Sequence, residues 1–219
     1  MNDHRIRRQL ILGAAGAFAL AAIPASWRAF AAELMRTPRQ TEGPFYPLQR
    51  PAGIDNDLVH VAGQSGVASG ERATVGGKVL DAAGRPVQGA LVEIWQANAH
   101  GRYNDPRDNS PQPIDPRFKG YGTCMTDAEG AYVFHTIRPV AYTGRAPHIH
   151  FAVAGPAVPR LVTQMYVDGA PENGRDFVLR GLDPAERRRV IVALDKVTGS
   201  PEAAWRANFD IVVDRRTPA

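Results

Sequence analysis

A chain of 219 residues is long enough for one domain of ordinary size with a buried core, plus tails. Its 21 glycines and 18 prolines, set among few helical runs, argue against a helical bundle and for a loop-rich all-β domain. The formal charge is +4, but four arginines against one aspartate in residues 1–31 account for +3 of it, so the remainder is nearly neutral and offers no basic patch for nucleic acid; the single cysteine, Cys124, excludes an intrachain disulfide and Cys-rich zinc sites.

Residues 1–31 read as an export signal: a basic start, an apolar run from Leu10 to Ile23, and Ala29-Phe30-Ala31 as an Ala-x-Ala cleavage site. Arg7-Arg8 followed by Gln9-Leu10-Ile11 resembles a twin-arginine signal, so the expectation is export to the periplasm by that route. An uncleaved anchor is the rival reading, but the apolar run is short for a membrane span of about 20 residues. Residues 32–72, rich in Pro and Gly and without a sustained period, read as an N-terminal arm laid over a core, with Phe45 and Tyr46 as packing residues.

Residues 73–215 carry the pattern of a single β-sandwich domain. Strands are expected at Thr74–Val79 and Ala90–Gln96; in the second, Leu91, Glu93 and Trp95 face one way and Val92, Ile94 and Gln96 the other. The stretch from Ala97 to Gly122 holds four prolines and no periodicity; a loop of that length in a compact domain is functional or disordered. A strand at Gly122–Thr126, a turn at Asp127-Ala-Glu-Gly130 and a return at Ala131–Thr136 read as a hairpin, with Cys124 a small buried hydrophobe. After a loop from Arg138 to Pro147, strands are expected at His148–Val153, Leu161–Tyr166 and Phe209–Val213. One short helix begins at Asp183, with Pro184 in its first position and Glu186 closing a capping box, and runs to about Leu194.

Chemistry gathers at Arg145-Ala-Pro-His148-Ile-His150-Phe151. On a strand His148 and His150 share one face, about 6–7 Å apart at Cα, a spacing that suits one metal ion and equally suits two ordinary histidines bonded to neighbours. There is no His-Glu-x-x-His helix, phosphate loop or Gly-x-Ser-x-Gly elbow, and no evident carboxylate to complete a ferrous facial triad; Asp127 fits its turn better. Tyrosines in the two preceding loops offer an alternative. A phenol of pKa about 10 ionises with help from a highly charged hard cation such as ferric iron. Two phenolates and one hydroxide would balance three positive charges beside two neutral imidazoles, and Tyr103, Tyr142, His148 and His150 would make that set.

Thr41-Glu-Gly-Pro-Phe-Tyr-Pro47, Gly89-Ala-Leu-Val-Glu-Ile-Trp-Gln-Ala97, Gly101-Arg-Tyr103, Thr126-Asp-Ala-Glu-Gly-Ala-Tyr132, Thr136-Ile-Arg-Pro139 and Arg145-Ala-Pro-His-Ile-His-Phe151 together resemble the intradiol ring-cleavage dioxygenases. The nearest likeness is to the iron-bearing chain of the protocatechuate 3,4-dioxygenase type, over roughly residues 36–213. The resemblance implies a non-haem Fe(III) centre on a β-sandwich, held by Tyr103, Tyr142, His148 and His150, that opens a small catechol-type substrate with both atoms of O2 between the two hydroxylated carbons, giving a cis,cis-muconate-type diacid. It further implies that Tyr142 is the ligand the diol displaces, that Arg145 and Gln164 are catalytic and that Arg145 approaches the substrate ring; Gly43 and Pro44 either approach that ring too or pack the arm. Only five residues separate Tyr142 from His148, where the protocatechuate-type enzymes carry a longer insertion, which puts the ring substituent in doubt. The oligomeric state stays open. Two other readings compete: an exported transthyretin-like sandwich that binds a ligand or metal without catalysis, and a ferrous extradiol dioxygenase, which would need a carboxylate ligand.

Overall fold

Strands whose two faces are both apolar need a layer on each side, and the chain supplies one as a second sheet and the other as loops. The computed structural model describes residues 33–48, 55–155, 157–199 and 204–215; the expected export signal, residues 1–31, lies outside them. Ten strands run in the order β1 (Arg72–Asp81), β2 (Leu91–Trp95), β3 (Tyr121–Met125), β4 (Ala131–Ile137), β5 (His148–Gly155), β6 (Val158–Val167), β7 (Ile191–Val192), β8 (Asp195–Lys196), β9 (Trp205–Asn208) and β10 (Ile211–Val213). Among the described residues a 3-10 turn (Pro171–Gly174) and two α-helices, α1 (Phe177–Arg180) and α2 (Pro184–Val190), lie between β6 and β7.

The strands form two mixed sheets, which makes the all-β sandwich expected from the sequence. In one, β1 is flanked by β4 and by β9 and β10, with β8 beyond β9; the other has the order β3-β2-β5-β6-β7. Between them lies a core that includes Val75, Val79, Val92, Ile94, Phe134, Ile149, Phe151, Val153, Phe209 and Ile211. Phe151 of the second sheet meets Tyr132 of the first at 6.1 Å and Phe209 at 5.1 Å between ring centroids. Alternation then dictates that Trp95, His148 and His150 point out of the opposite face of their sheet.

Four local expectations are corrected. The segments on either side of the Asp127–Gly130 turn do not form a hairpin: β3 pairs with β2, whereas β4 pairs with β1 in the other sheet. The Asp127 carboxylate accepts from Glu129 N and Ala131 N, and Gly130 O accepts from Val79 N, which hands the chain to β1 at the Ala131–Lys78 register. The helix opens with the expected capping box, Asp183 against Glu186, but ends at Val190, because Ile191 turns extended and pairs in parallel with Tyr166; a β-branched Val-Ile-Val run prefers that pleated environment. The last expected strand is interrupted: Trp205–Asn208 already pairs with β1, and Phe209 then dips into the core while Asp210 Oδ1 takes the ladder bond of Lys78 N. Cys124 is half-buried against the core rather than enclosed. Among the described residues no helix is long and apolar enough to cross a membrane.

Candidate metal centre and active site

The outer face of the second sheet is prepared by register. Trp95, His150 and Gln164 lie directly opposite one another on β2, β5 and β6, and His148 lies opposite Tyr166. Covering this face are the arm, the loop between β2 and β3 and the loop between β4 and β5. The Trp95 indole stacks on the His150 imidazole with centroids 4.9 Å apart and planes within 10°, and Phe45 of the arm lies 4.7 Å from the Tyr103 ring. The long loop after β2 is ordered by its own polar groups: Asn98 Oδ1 accepts from His100 N and Arg102 N, and the Arg102 guanidinium donates to Gln112 O and Asp108 O. Asp108 Oδ2 accepts from Tyr103 N at 2.7 Å, fixing the buried tyrosine from behind.

Tyr142 and Arg145 face each other across a two-residue hairpin turn, exchanging Arg145 N→Tyr142 O at 2.7 Å and Tyr142 N→Arg145 O at 3.3 Å. Thr143 and Gly144 take φ of +23° and +78°, the positive values that tight hairpins demand. The shortened segment before His148 is therefore a compact turn that aims a tyrosine and an arginine at the same face.

Four donor atoms come together there. Tyr103 Oη lies 3.1 Å from Tyr142 Oη, Tyr142 Oη 3.3 Å from His148 Nε2, and His148 Nε2 3.2 Å from His150 Nε2. His148 Nδ1–H donates to Ala146 O at 2.6 Å, which leaves the Nε2 lone pair pointing into the group. Burial, with the Arg145 charge adding to it, pulls the His148 imidazole down to about 4; burial, with His148 beside it, holds His150 well below the ordinary value, so both rings are neutral. Burial pushes the phenols of Tyr103 and Tyr142 up. Two neutral imidazole nitrogens and two phenol oxygens at these spacings match the donor set of one shared first-row cation, whose bonds to nitrogen and oxygen run to about 2.0–2.2 Å. Among the described residues no cluster of three or more His, Cys, Asp or Glu forms, so the carboxylate that a ferrous facial triad requires is not at the pair.

Arg145, Gln164 and Gly43 also reach this place. Arg145, with only 11% of its side chain exposed, donates from Nη2 to Gln164 Oε1 at 2.6 Å. Gln164 donates in turn to Thr41 O of the arm at 3.0 Å, and Tyr166 OH stands within hydrogen-bond reach of both Gln164 Oε1 (2.9 Å) and Gln40 Oε1 (3.0 Å), donating to one of them at a time. Gly43 stands over His150: a Cβ there would lie 3.2 Å from its Cε1, and φ is +75°. Pro44, exposed, follows it. Sequence reasoning missed Trp95 as the platform under His150, Asp108 behind Tyr103, and Asp176, whose buried carboxylate meets Arg145 from 31 residues away. Alternation had set Trp95 on the face opposite Val92 and Ile94 without linking it to the histidines, and nothing in sequence spacing links Asp176 to Arg145.

A family model described as a dioxygenase matches residues 41–215. The protocatechuate 3,4-dioxygenase beta chain of Burkholderia cepacia is 42% identical over 186 residues, covering 81% of this chain and 79% of that relative. Catechol 1,2-dioxygenase 2 of Acinetobacter lwoffii is 35% identical over 173 residues, covering 69% of this chain and 60% of the relative. Among solved structures, the dioxygenase domain of a dioxygenase–carbohydrate-binding protein fusion from Streptomyces sp. SirexAA-E superposes with a TM-score of 0.64 at 30% identity, covering 82% of this chain and 99% of that domain. The match places the chain among the oxygenases built on a β-sandwich. It belongs to the intradiol ring-cleavage dioxygenases, oxidoreductases that open an aromatic diol between its two hydroxylated carbons and incorporate both atoms of O2. The reading as a non-catalytic ligand-binding sandwich is not favoured.

Gly101 shows how closely the loops fit. Its φ is +79°, and a Cβ built on it would stand 2.9 Å from the Tyr142 Cβ. Gly101→Ala is expected to cost about 1–3 kcal/mol of stability from the backbone conformation alone and to displace Tyr142, lowering turnover; urea unfolding and oxygen uptake check the two effects separately.

Proposed function

We propose that this chain cleaves a catechol-type diol at ferric iron held by Tyr103, Tyr142, His148 and His150. The observation that carries the reading is the unbroken run of four neutral donors, each within 3.1–3.3 Å of the next. When bound, ferric iron supplies a Lewis-acidic centre that holds the diol as its dianion and draws electron density from the ring.

The residues of the chain divide the remaining work. Tyr103 is buried, tied at its backbone by Asp108 and covered by Phe45, which suits a permanent ligand. Tyr142 is half-buried on a two-residue turn, which suits the ligand that gives way to the diol and accepts one of its protons. A cavity of about 480 Å³ borders Tyr142 and Arg145, with Glu172 and Arg175 also in its wall. The Arg145 guanidinium holds charge that develops on the ring as O2 attacks, a preorganised contribution commonly worth about 3–4 kcal/mol. Gln164, fixed by Arg145, Tyr166 and Thr41, keeps that guanidinium in place. Gly43 leaves open the space over His150 that any side chain would fill. The hairpin turn that replaces a longer insertion sets the width of the mouth, and with it the ring substituents admitted.

Oxygen uptake on catechol, protocatechuate and hydroxyquinol tests the reading: at least one is consumed to a cis,cis-muconate-type diacid, and His150→Ala loses iron. A yellow semialdehyde product, or stoichiometric iron in the His150→Ala protein, contradicts it. We further propose that residues 1–31 direct export by a twin-arginine-type route to the periplasm, with residues 32–72 as an arm and 73–215 as the catalytic domain. The paired Arg7-Arg8 and the Ala29-Phe30-Ala31 site support this. N-terminal sequencing of periplasmic protein is expected to begin at Ala32, and substitution of Arg7 and Arg8 by lysine to leave the protein in the cytoplasm; unchanged export of that variant removes the twin-arginine route.

A further inference from the structure

Arg145 stands at one end of an otherwise exposed turn, yet its guanidinium is held on several sides. Nε donates to Asp176 Oδ2 at 2.8 Å, Nη2 donates to Gln164 Oε1 at 2.6 Å and faces Tyr166 Oη at 3.4 Å, and the Phe177 ring centre lies 5.2 Å from Cζ. Among the described residues none accepts a hydrogen bond from Nη1. Asp176 is wholly buried and divides its two oxygens between two tasks. Oδ2 also accepts from Ala146 N at 2.9 Å, two residues before the first histidine, while Oδ1 caps α1 by accepting from Val178 N and Leu179 N. Burial alone would raise its carboxyl; these hydrogen bonds and the Arg145 charge outweigh it and hold the group ionised.

We propose that Asp176 is a positioning residue for the ring-opening reaction: it fixes the Arg145 guanidinium at Nε so that Nη1 is left for the bound diol. The proposal rests on the reading of Arg145 given above. An arginine on a turn carries many rotamers, and a charge that stabilises a developing charge must be in place before the reaction rather than recruited during it. A charge-assisted bond to a buried carboxylate supplies that restraint. Asp176 comes from the segment after β6, so the site is braced by a part of the chain far from the histidine strand. The same carboxylate holds the Ala146 backbone, whose carbonyl sets the His148 tautomer.

The test is a double-substitution cycle on the full-length, iron-loaded enzyme, with catechol-type substrates and oxygen uptake as the assay. Asp176→Ser keeps an oxygen able to cap α1 but is too short to reach Arg145. It is expected to lower kcat about 10–100-fold with iron content and the visible spectrum retained. In the Arg145→Ala background the same substitution should lower kcat several-fold less than in the wild type, the part that remains being the loss of the Ala146 N bond and the part that vanishes the non-additivity of residues that act as a unit. A readout independent of turnover, taken on protein loaded with diamagnetic gallium(III) in place of iron, is the 15N–1H resonance of Arg145 Nε, slow to exchange in the wild type and fast in Asp176→Ser. Equal losses in both backgrounds, or an unchanged Nε resonance, overturn the positioning role. Wild-type turnover in Arg145→Ala would instead refute the reading of Arg145 itself and the proposal with it. Should Asp176→Ser fail to fold, Asp176→Thr, which also keeps an oxygen able to cap α1 and is too short to reach Arg145, serves in the same cycle with the same outcomes.

Discussion

Two imidazole Nε2 atoms lie 3.2 Å apart on one face of a central strand, with the surrounding rings closing off water. One of them must present a lone pair, since the opposite nitrogen of His148 spends its proton on Ala146 O. Much of the molecule can be read as a means of maintaining this arrangement. Strand β5 buries Ile149 and Phe151 in the core between the sheets and so cannot slip by one residue without exchanging apolar for imidazole side chains. The core therefore sets the register of the site. Trp95 and Gln164 on the neighbouring strands hold His150 between them by the same rule.

A second level of organisation joins the loops to that sheet. The arm bonds through Gln40 and Thr41 to Gln164, Tyr166 and Thr163; Gln164 and Tyr166 meet Arg145; Arg145 meets Asp176, which begins a helix. A buried polar network is costly wherever one member lacks a partner. Its near-complete satisfaction gives three segments distant in sequence one common geometry. The network contains Arg145 and Gln164, the residues that the resemblance marked for catalysis.

How much of this was legible in the sequence varied with the range of the interaction. Period-2 alternation put Trp95 apart from Val92 and Ile94, and His148 with His150, because alternation is a property of the strand itself. The capping box at Asp183 was legible for the same reason, being complete within four residues. The partners of β4 were not: the Asp127–Gly130 turn looks the same locally whether it closes a hairpin or carries the chain from one sheet to the other, and only Val79, some fifty residues earlier, decides. The end of α2 at Val190 depended on Tyr166 offering a strand edge to Ile191. The tyrosines could be proposed from charge balance, whereas their mutual approach depended on a two-residue turn and on a glycine with no room for a Cβ. Asp176 could not be found, since a helix cap and a clamp on Arg145 have the same local sequence.

The central claim is that two phenolates and two imidazoles of this chain bind one ferric ion. The most direct measurement is the visible spectrum of the purified, iron-loaded protein, compared with its metal content and with the Tyr103→Phe variant. Tyrosinate-to-iron charge transfer is expected to make the protein red-brown, and the band to weaken and shift when Tyr103 loses its hydroxyl. A colourless protein with one equivalent of iron bound, or a band untouched by Tyr103→Phe, would contradict the account.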